Sequence, residues 1–171
     1  NTAADSSAIV YRDGDSISSN DGFYQVMALS NDFSIGSRRA SESGTDFSGQ
    51  VSEFIIFKKV LKDVQRIIVE NYLAAKYGLS ITNDLYNYQT IHGNDLIGIG
   101  NTGVGKEHLE AMSDSLFMLS GASDLDSGEF VFAGHNNGDD LQWTNTEAPD
   151  NGTSLQRIER EWRIDTVGNP G

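Results

Sequence analysis

The stretch "FSGQVSEFIIFKKVLKDVQRIIVENYLAAKYGL", residues 47–79, changes its hydrophobic period part-way along. From Gln50 it first alternates and then turns continuously apolar at Phe54–Phe57, the pattern of a strand covered on both faces. Beyond that run, Leu61, Val64, Ile68, Tyr72 and Ala75 fall on one helical stripe, widened by Ile67. The stripe predicts an amphipathic helix over 61–77. Asp63, Arg66 and Glu70 fall on the opposite side at spacings that support ion pairs. Lys76 suits the negative end of the helix, and Gly78 is placed to end it in a left-handed conformation. An apolar stripe has to lie on something, and the sheet just before it is the simplest expectation.

The remainder reads as strands and turns. Eighteen glycines, with abundant Ser, Asn and Asp, match many tight reversals between short strands. Asp13-Gly14 predicts a two-residue hairpin turn. Further strands are expected in "NDGFYQVMALS" and "DFSIGSRR", before a loop at "SESGTDFSG". After Leu79, "SITNDLYNYQTIHGN" is a polar, aromatic connector. Strands then resume in "DLIGIG", "SLFMLSG", "EFVFAGH", "LQWTNT" and "LQRIEREWRI". Their spacing of roughly eight to twelve residues is that of a sandwich. "EFVFAG" and "LQWTN" are expected to form a hairpin across "HNNGDD", with another turn at "PDNGTS". The expected fold class is mainly β, an antiparallel β-sandwich with one amphipathic helix followed by a second β-sandwich.

The formal net charge of −13 disfavours a nucleic-acid partner, because such a surface repels phosphates. No basic amphipathic segment suggests a membrane surface, and the longest apolar run is too short to span a bilayer. The same acidity suits a hard divalent cation such as Ca²⁺. The absence of cysteine excludes disulfides, thiolate metal sites and cysteine nucleophiles. Both ends are expected to be cuts inside a longer polypeptide.

Residues 47–79 also carry a family resemblance. Phe47, Gly49, Glu53, Leu61, Asp63, Arg66, Tyr72, Leu73, Ala74, Lys76, Tyr77, Gly78 and Leu79 match a pattern. It is a glycine-led strand with a Glu, then an Asp/Arg turn, then a helix ending in Tyr-Leu-Ala and Lys-Tyr-Gly-Leu. This resembles the closing segment of concanavalin A-like (laminin G-like) jelly-roll domains of bacterial surface proteins. Gln65 stands where that pattern usually has Glu. "DLIGIGN" together with "GEFVFAGHNNGDDLQWTNTEAPDNGTSLQRIEREWRI" resembles an uncharacterised β-rich domain of large secreted proteins of gliding bacteria, typically exported by the type IX route. The resemblance implies the C-terminal part of a lectin-like jelly roll at 1–80, a connector at 81–94 and a second, truncated β-sandwich at 95–171. It implies an extracellular or cell-surface location.

Several motifs invite chemistry. Gly98, Gly100 and Gly103 match a dinucleotide fingerprint, but "VGKEHLEAMSD" is a poor crossover helix. "GNTGVGKE" nearly matches a phosphate loop, but Glu107 replaces the hydroxyl that holds Mg²⁺. Both read better as a glycine-rich strand end and turn. "DLDSGE", residues 124–129, is similar to the paired-carboxylate signature of jelly-roll glycoside hydrolases, whose acid and nucleophile sit on one strand face. Ser127-Gly128 argues for a turn instead. If an ion is held, Asp124 and Asp126 with backbone carbonyls are the candidate Ca²⁺ ligands. The three histidines lack zinc-ligand spacing, and no serine-hydrolase elbow is present. Trp162 alternates with charges and reads as core. Trp143 follows the acidic turn of Asp139 and Asp140 at a strand start; it reads first as a core or edge aromatic, and otherwise it is the candidate for stacking on a sugar ring.

These readings converge on a non-enzymatic fragment of a secreted, adhesin-like protein for display or for binding glycans or other surface proteins. It is expected to have no nucleic-acid partner and no membrane insertion. The alternatives are a structural spacer and a jelly-roll glycoside hydrolase.

Overall fold

A computed structural model describes residues 7–21, 35–36, 46–114, 116–144 and 156–170. The fold is mainly β, with antiparallel sheets and one main helix. The chain forms two compact units, Asn1–Val10 with Ser18–Val60, and Tyr11–Ile17 with Leu61–Gly171. Strands β1 (Ser7–Arg12) and β2 (Asp15–Asp21) form a two-stranded hairpin. Its turn residues Asp13 and Gly14 have φ of 52° and 87°, the positive values expected of a two-residue turn.

In the first unit, no described strand covers residues 46–60. The doubly covered strand expected at 50–57 is not seen. Phe54 and Ile56 keep 51% and 64% of their surface in solvent. Residues 22–30 and most of 32–39, where two further strands are expected, and the turn at 149–154 lie outside the described residues.

The second unit is built on a four-stranded antiparallel sheet in the order β10-β7-β3-β4. These strands are β3 (Asn94–Asn101), β4 (Glu107–His108), β7 (Phe130–His135) and β10 (Trp162–Val167). Helix α1 (Asp63–Tyr77) lies on one face. Val64 is fully buried against Tyr86, Leu96, Phe130 and Phe132, with Ile67, Ile68, Tyr72 and Ala75 packed around them. The stripe read from the sequence is thus the buried face, but it lies on the sheet that follows α1. The reason is complementarity, because Phe130 and Phe132 of β7 and Leu96 of β3 present large apolar groups to it. Gly78 ends the helix at φ 64°, and the Gln65 side chain accepts a hydrogen bond from Lys62 N–H at 3.1 Å to open it.

The other sheet face is covered by the hairpin of β5 (Glu110–Ser113) and β6 (Phe117–Ser120). Ile99, Leu119 and Ala133 form that core, with Phe117 stacked on Trp162 at 4.5 Å between ring centroids. The sheet register explains the glycines of "GIGNTG". Gly98 pairs with Phe132 and Gly100 with Phe130, and each aromatic ring lies where a Cβ would project from the glycine. These glycines make room for rings rather than for phosphates.

Two further placements concern packing and pairing. The segment 81–94, read as a connector, lies in the second unit and contributes Leu85 and Tyr86 to its core. Tyr86 is buried beneath the sheet, and its hydroxyl hydrogen-bonds the carbonyls of His92 (3.0 Å) and Arg163 (3.1 Å). Asn71 of α1 is also buried. Its amide donates to the carbonyls of Ile67 and Asn83, and its oxygen accepts Leu85 N–H. The short helix α2 (Gln89–His92) then leads into β3. Second, β7 does not form a hairpin with β8 (Trp143–Thr144). It pairs with β3 and β10, while β8 pairs with β9 (Arg157–Ile158). The Asn136 side chain accepts the N–H groups of Gly138 and Glu161, and Asn136 N–H donates to Glu161. "HNNGDD" is therefore an irregular stretch within one arm of a long ribbon and not a reversal.

Arg66 and Glu70 were expected on the solvent side, yet only 21% and 17% of their side chains are exposed. The β1–β2 turn lies over them. The Arg66 guanidinium stacks on Tyr11 at 4.1 Å, and Thr82 N–H donates to Asp13.

Tyr86→Phe keeps the ring and removes the hydroxyl that the His92 and Arg163 carbonyls share. The expected cost is about 1–3 kcal/mol, read by chemical denaturation. Burial, reinforced by the Asp165 carboxylate, pushes the Tyr86 phenol from 10.0 up to about 12. Because the folded pKa is raised, the stability it contributes is present below pH 10 and is lost as pH rises from 10 towards 12. Tyr86→Phe is expected to flatten that alkaline slope.

Candidate functional site

The ribbon beyond β7 and β10 carries the residues singled out for binding. Asp139 forms a local turn, its carboxylate accepting Leu141 N–H at 2.8 Å and its carbonyl accepting Arg160 N–H. Asp140 faces the Arg160 guanidinium at 3.6 Å, and Arg160 Nε donates to the Gly138 carbonyl. Trp143 stands opposite Ile158 in the β8–β9 pair and exposes 63% of its surface. Leu141 and Ile158 are exposed beside it in the chain and across the ladder. The structure thus brings Asp139, Asp140 and Trp143 onto one ribbon arm. Arg160 and Ile158 of the other arm join them. Sequence reasoning missed these two because it paired β7 with β8.

At the base of the ribbon lies a buried histidine. His135 Nδ1 accepts Asn137 N–H at 2.9 Å, so the ring proton sits on Nε2 and is donated to Asp95 at 2.9 Å. Trp162 meets the ring edge-on at 4.8 Å. Asp95 occupies a register irregularity of β3 and has φ 45°, a conformation tolerated best by Asn and Asp. With both ring nitrogens engaged, His135 has no lone pair free for a ligand, and the pair acts as a fastening for the irregular strand. Nearby, Glu161 gathers Arg163 at 2.9 Å, Arg157 at 3.4 Å and His92 at 3.5 Å.

Asp124 and Asp126 lie in the exposed loop between β6 and β7. Residues 126–129 form a turn in which Glu129 N–H donates to the Asp126 carbonyl and Gly128 has φ 95°. "DLDSGE" is therefore a turn and not the strand face that a paired-carboxylate site requires. Both Glu129 oxygens are engaged, by Asp126 N–H and Asn169 N–H, each at 2.8 Å. The Leu125 carbonyl accepts the Asn101 side chain at 2.7 Å. Among the described residues, no three His, Asp or Glu side chains converge on one point as a metal-binding group. No helix among them is long and apolar enough to cross a membrane.

An open groove of about 620 Å³ lies between the start of α1 and β4–β5, lined by Lys62, Gln65 and Glu107–Glu110. Partial burial, with the Lys62 ammonium nearby, holds the His108 imidazole below its ordinary 6.5. Comparison with protein-family models, curated proteins and solved structures gives no match for the chain.

A depressed histidine takes up its proton more readily in the unfolded chain. The stability it contributes is present above pH 6.5 and falls away as pH drops below that value. His108→Gln is expected to reduce the acid-side slope of the melting temperature in a pH series, and an unchanged slope refutes this assignment.

Proposed function

We propose that this chain is a binding and display module of a secreted or cell-surface adhesin-like protein. It engages glycans, or a neighbouring surface protein, through the β8–β9 ribbon and without catalysis. The observation that carries the reading is Trp143. An indole that is 63% exposed, on the same ribbon arm as Asp139 and Asp140, offers a flat apolar face on a strand that also carries carboxylates. Sugar rings are recognised by that combination, their C–H faces stacking on an aromatic and their hydroxyls bonding to acids. The net charge of −13 supports the same reading by keeping polyanions away.

The test is a glycan array followed by calorimetry. Trp143→Ala is expected to weaken binding of any captured glycan at least tenfold, about 1.4 kcal/mol, while leaving the melt unchanged. A fully retained affinity removes Trp143 from the site, and an array without any captured glycan favours the structural spacer.

Calcium at Asp124 and Asp126 belongs to the same proposal. Both residues are exposed beside a glycine turn, and a hard cation would offset their mutual repulsion. Ca²⁺ at one hundred times its Kd is expected to stabilise the fold by about 2.7 kcal/mol. A melting temperature that is the same in EGTA and in millimolar Ca²⁺ eliminates this part.

A further inference from the structure

Among the described strands, β10 is an edge of the four-stranded sheet, and its backbone directions can be read from its neighbour. Asn136 N–H donates to the Glu161 carbonyl, which marks a hydrogen-bonded pair next to β10. Such pairs alternate along an antiparallel ladder, so Arg163 and Asp165 point their N–H and C=O groups at Gly134 and Phe132. Trp162, Ile164 and Thr166 therefore point theirs away from the sheet. Ile164, in the middle, exposes 52% of its surface. A row of outward donors and acceptors is a template for another strand.

The sequence of β10, "WRIDTV", determines which strand fits. Laid antiparallel on a second copy with Ile164 opposite Ile164, Trp162 faces Thr166, and Arg163 faces Asp165 on both sides of the two-fold axis. The outward groups of Trp162, Ile164 and Thr166 then form the hydrogen-bonded pairs. Arg163 and Asp165 form the non-hydrogen-bonded pairs, where opposed side chains come closest and opposite charges contribute most. In the single chain these groups have local partners. Arg163 reaches Glu161 at 2.9 Å, while the Asp165 carboxylate accepts the Asn87 backbone and side-chain N–H groups and the outward Thr166 N–H at 3.1 Å. The carboxylate thus plugs one edge donor that the second copy would use.

We propose that the β10 edge is a self-complementary docking edge for a second copy of this chain. Two copies join antiparallel about Ile164, and Asp165 exchanges Thr166 N–H and Asn87 for Arg163 of the other copy. The result is a continuous eight-stranded sheet made from two four-stranded ones.

Sedimentation of the 171-residue chain over a concentration series tests this. The wild type is expected to shift reversibly from the mass of one chain to that of two. Ile164→Pro removes an outward N–H, a change that edge strands tolerate, and is expected to abolish the shift while keeping a cooperative melt. Asp165→Arg puts like charges opposite each other twice and is expected to weaken association about tenfold. Adding Arg163→Asp reverses both charges and is expected to restore it, although Asn87 still lacks its carboxylate partner. A folded wild type that stays a single chain at every concentration overturns the proposal. So does association that survives Ile164→Pro in a folded variant, or a double charge swap that fails to recover what Asp165→Arg lost.

Discussion

The hydroxyl of Tyr86 holds the second unit together. It sits under β7 and β10 at the point where Gly134 leaves no side chain in the way, between the carbonyls of His92 and Arg163. One phenol thereby ties the connector to the sheet, and Asn71 ties the same connector to α1 through two hydrogen bonds. Helix, connector and sheet share one core because the polar groups of a buried loop must be satisfied somewhere. The ring of Tyr86 supplies apolar area to that core while its hydroxyl meets the backbone. This dual role lets a polar segment run beneath a sheet without leaving carbonyls unbonded.

The local elements of this fold are legible in the sequence because each rests on a short-range rule. The helix stripe, the glycine that ends it, the Asp13-Gly14 turn and the strands at 94–101 and 130–135 all follow from period or turn chemistry. Pairings are less legible. β7 and β8 are separated by a turn-rich stretch that looks like a reversal, and long-range bonds of Asn136, Asp139 and Gln142 to the opposite arm show that the chain runs on in one direction. The side of the sheet on which α1 lies is likewise set by residues more than twenty positions downstream, which no local pattern encodes. The binding candidates follow the same division. Asp139, Asp140 and Trp143 are close in sequence and could be grouped by reading it, whereas Arg160 and Ile158 reach them only through the ladder.

The motif at residues 98–103 shows why a glycine pattern carries little meaning without its neighbours. A dinucleotide fingerprint uses glycines so that backbone can approach a phosphate. Here Gly98 and Gly100 alternate along a strand, and the absent side chains are replaced by the rings of Phe132 and Phe130 from the next strand. The two rings stack on each other 5.8 Å apart and form much of the surface on which α1 rests. Glycine in one strand and phenylalanine in the next are therefore one packing decision. A side chain at Gly100 would push Phe130 towards the helix and disturb both layers.

The acidic composition acquires a structural logic once the carboxylates are placed. Many serve the backbone: Glu129 binds two N–H groups, Asp139 holds a turn, Asp95 fastens His135 at the irregular start of β3, and Asp165 holds Asn87. A β-protein with many short strands has many turns and strand ends whose amides lack ladder partners, and acceptor side chains are the local remedy. Part of the charge of −13 is thus a by-product of stabilising irregular backbone. It also shapes how such a surface associates. Like-charged copies repel at long range, so any contact between them depends on places where acid meets base, and β10 supplies one, with Arg163 and Asp165 two residues apart on the same face of an edge strand.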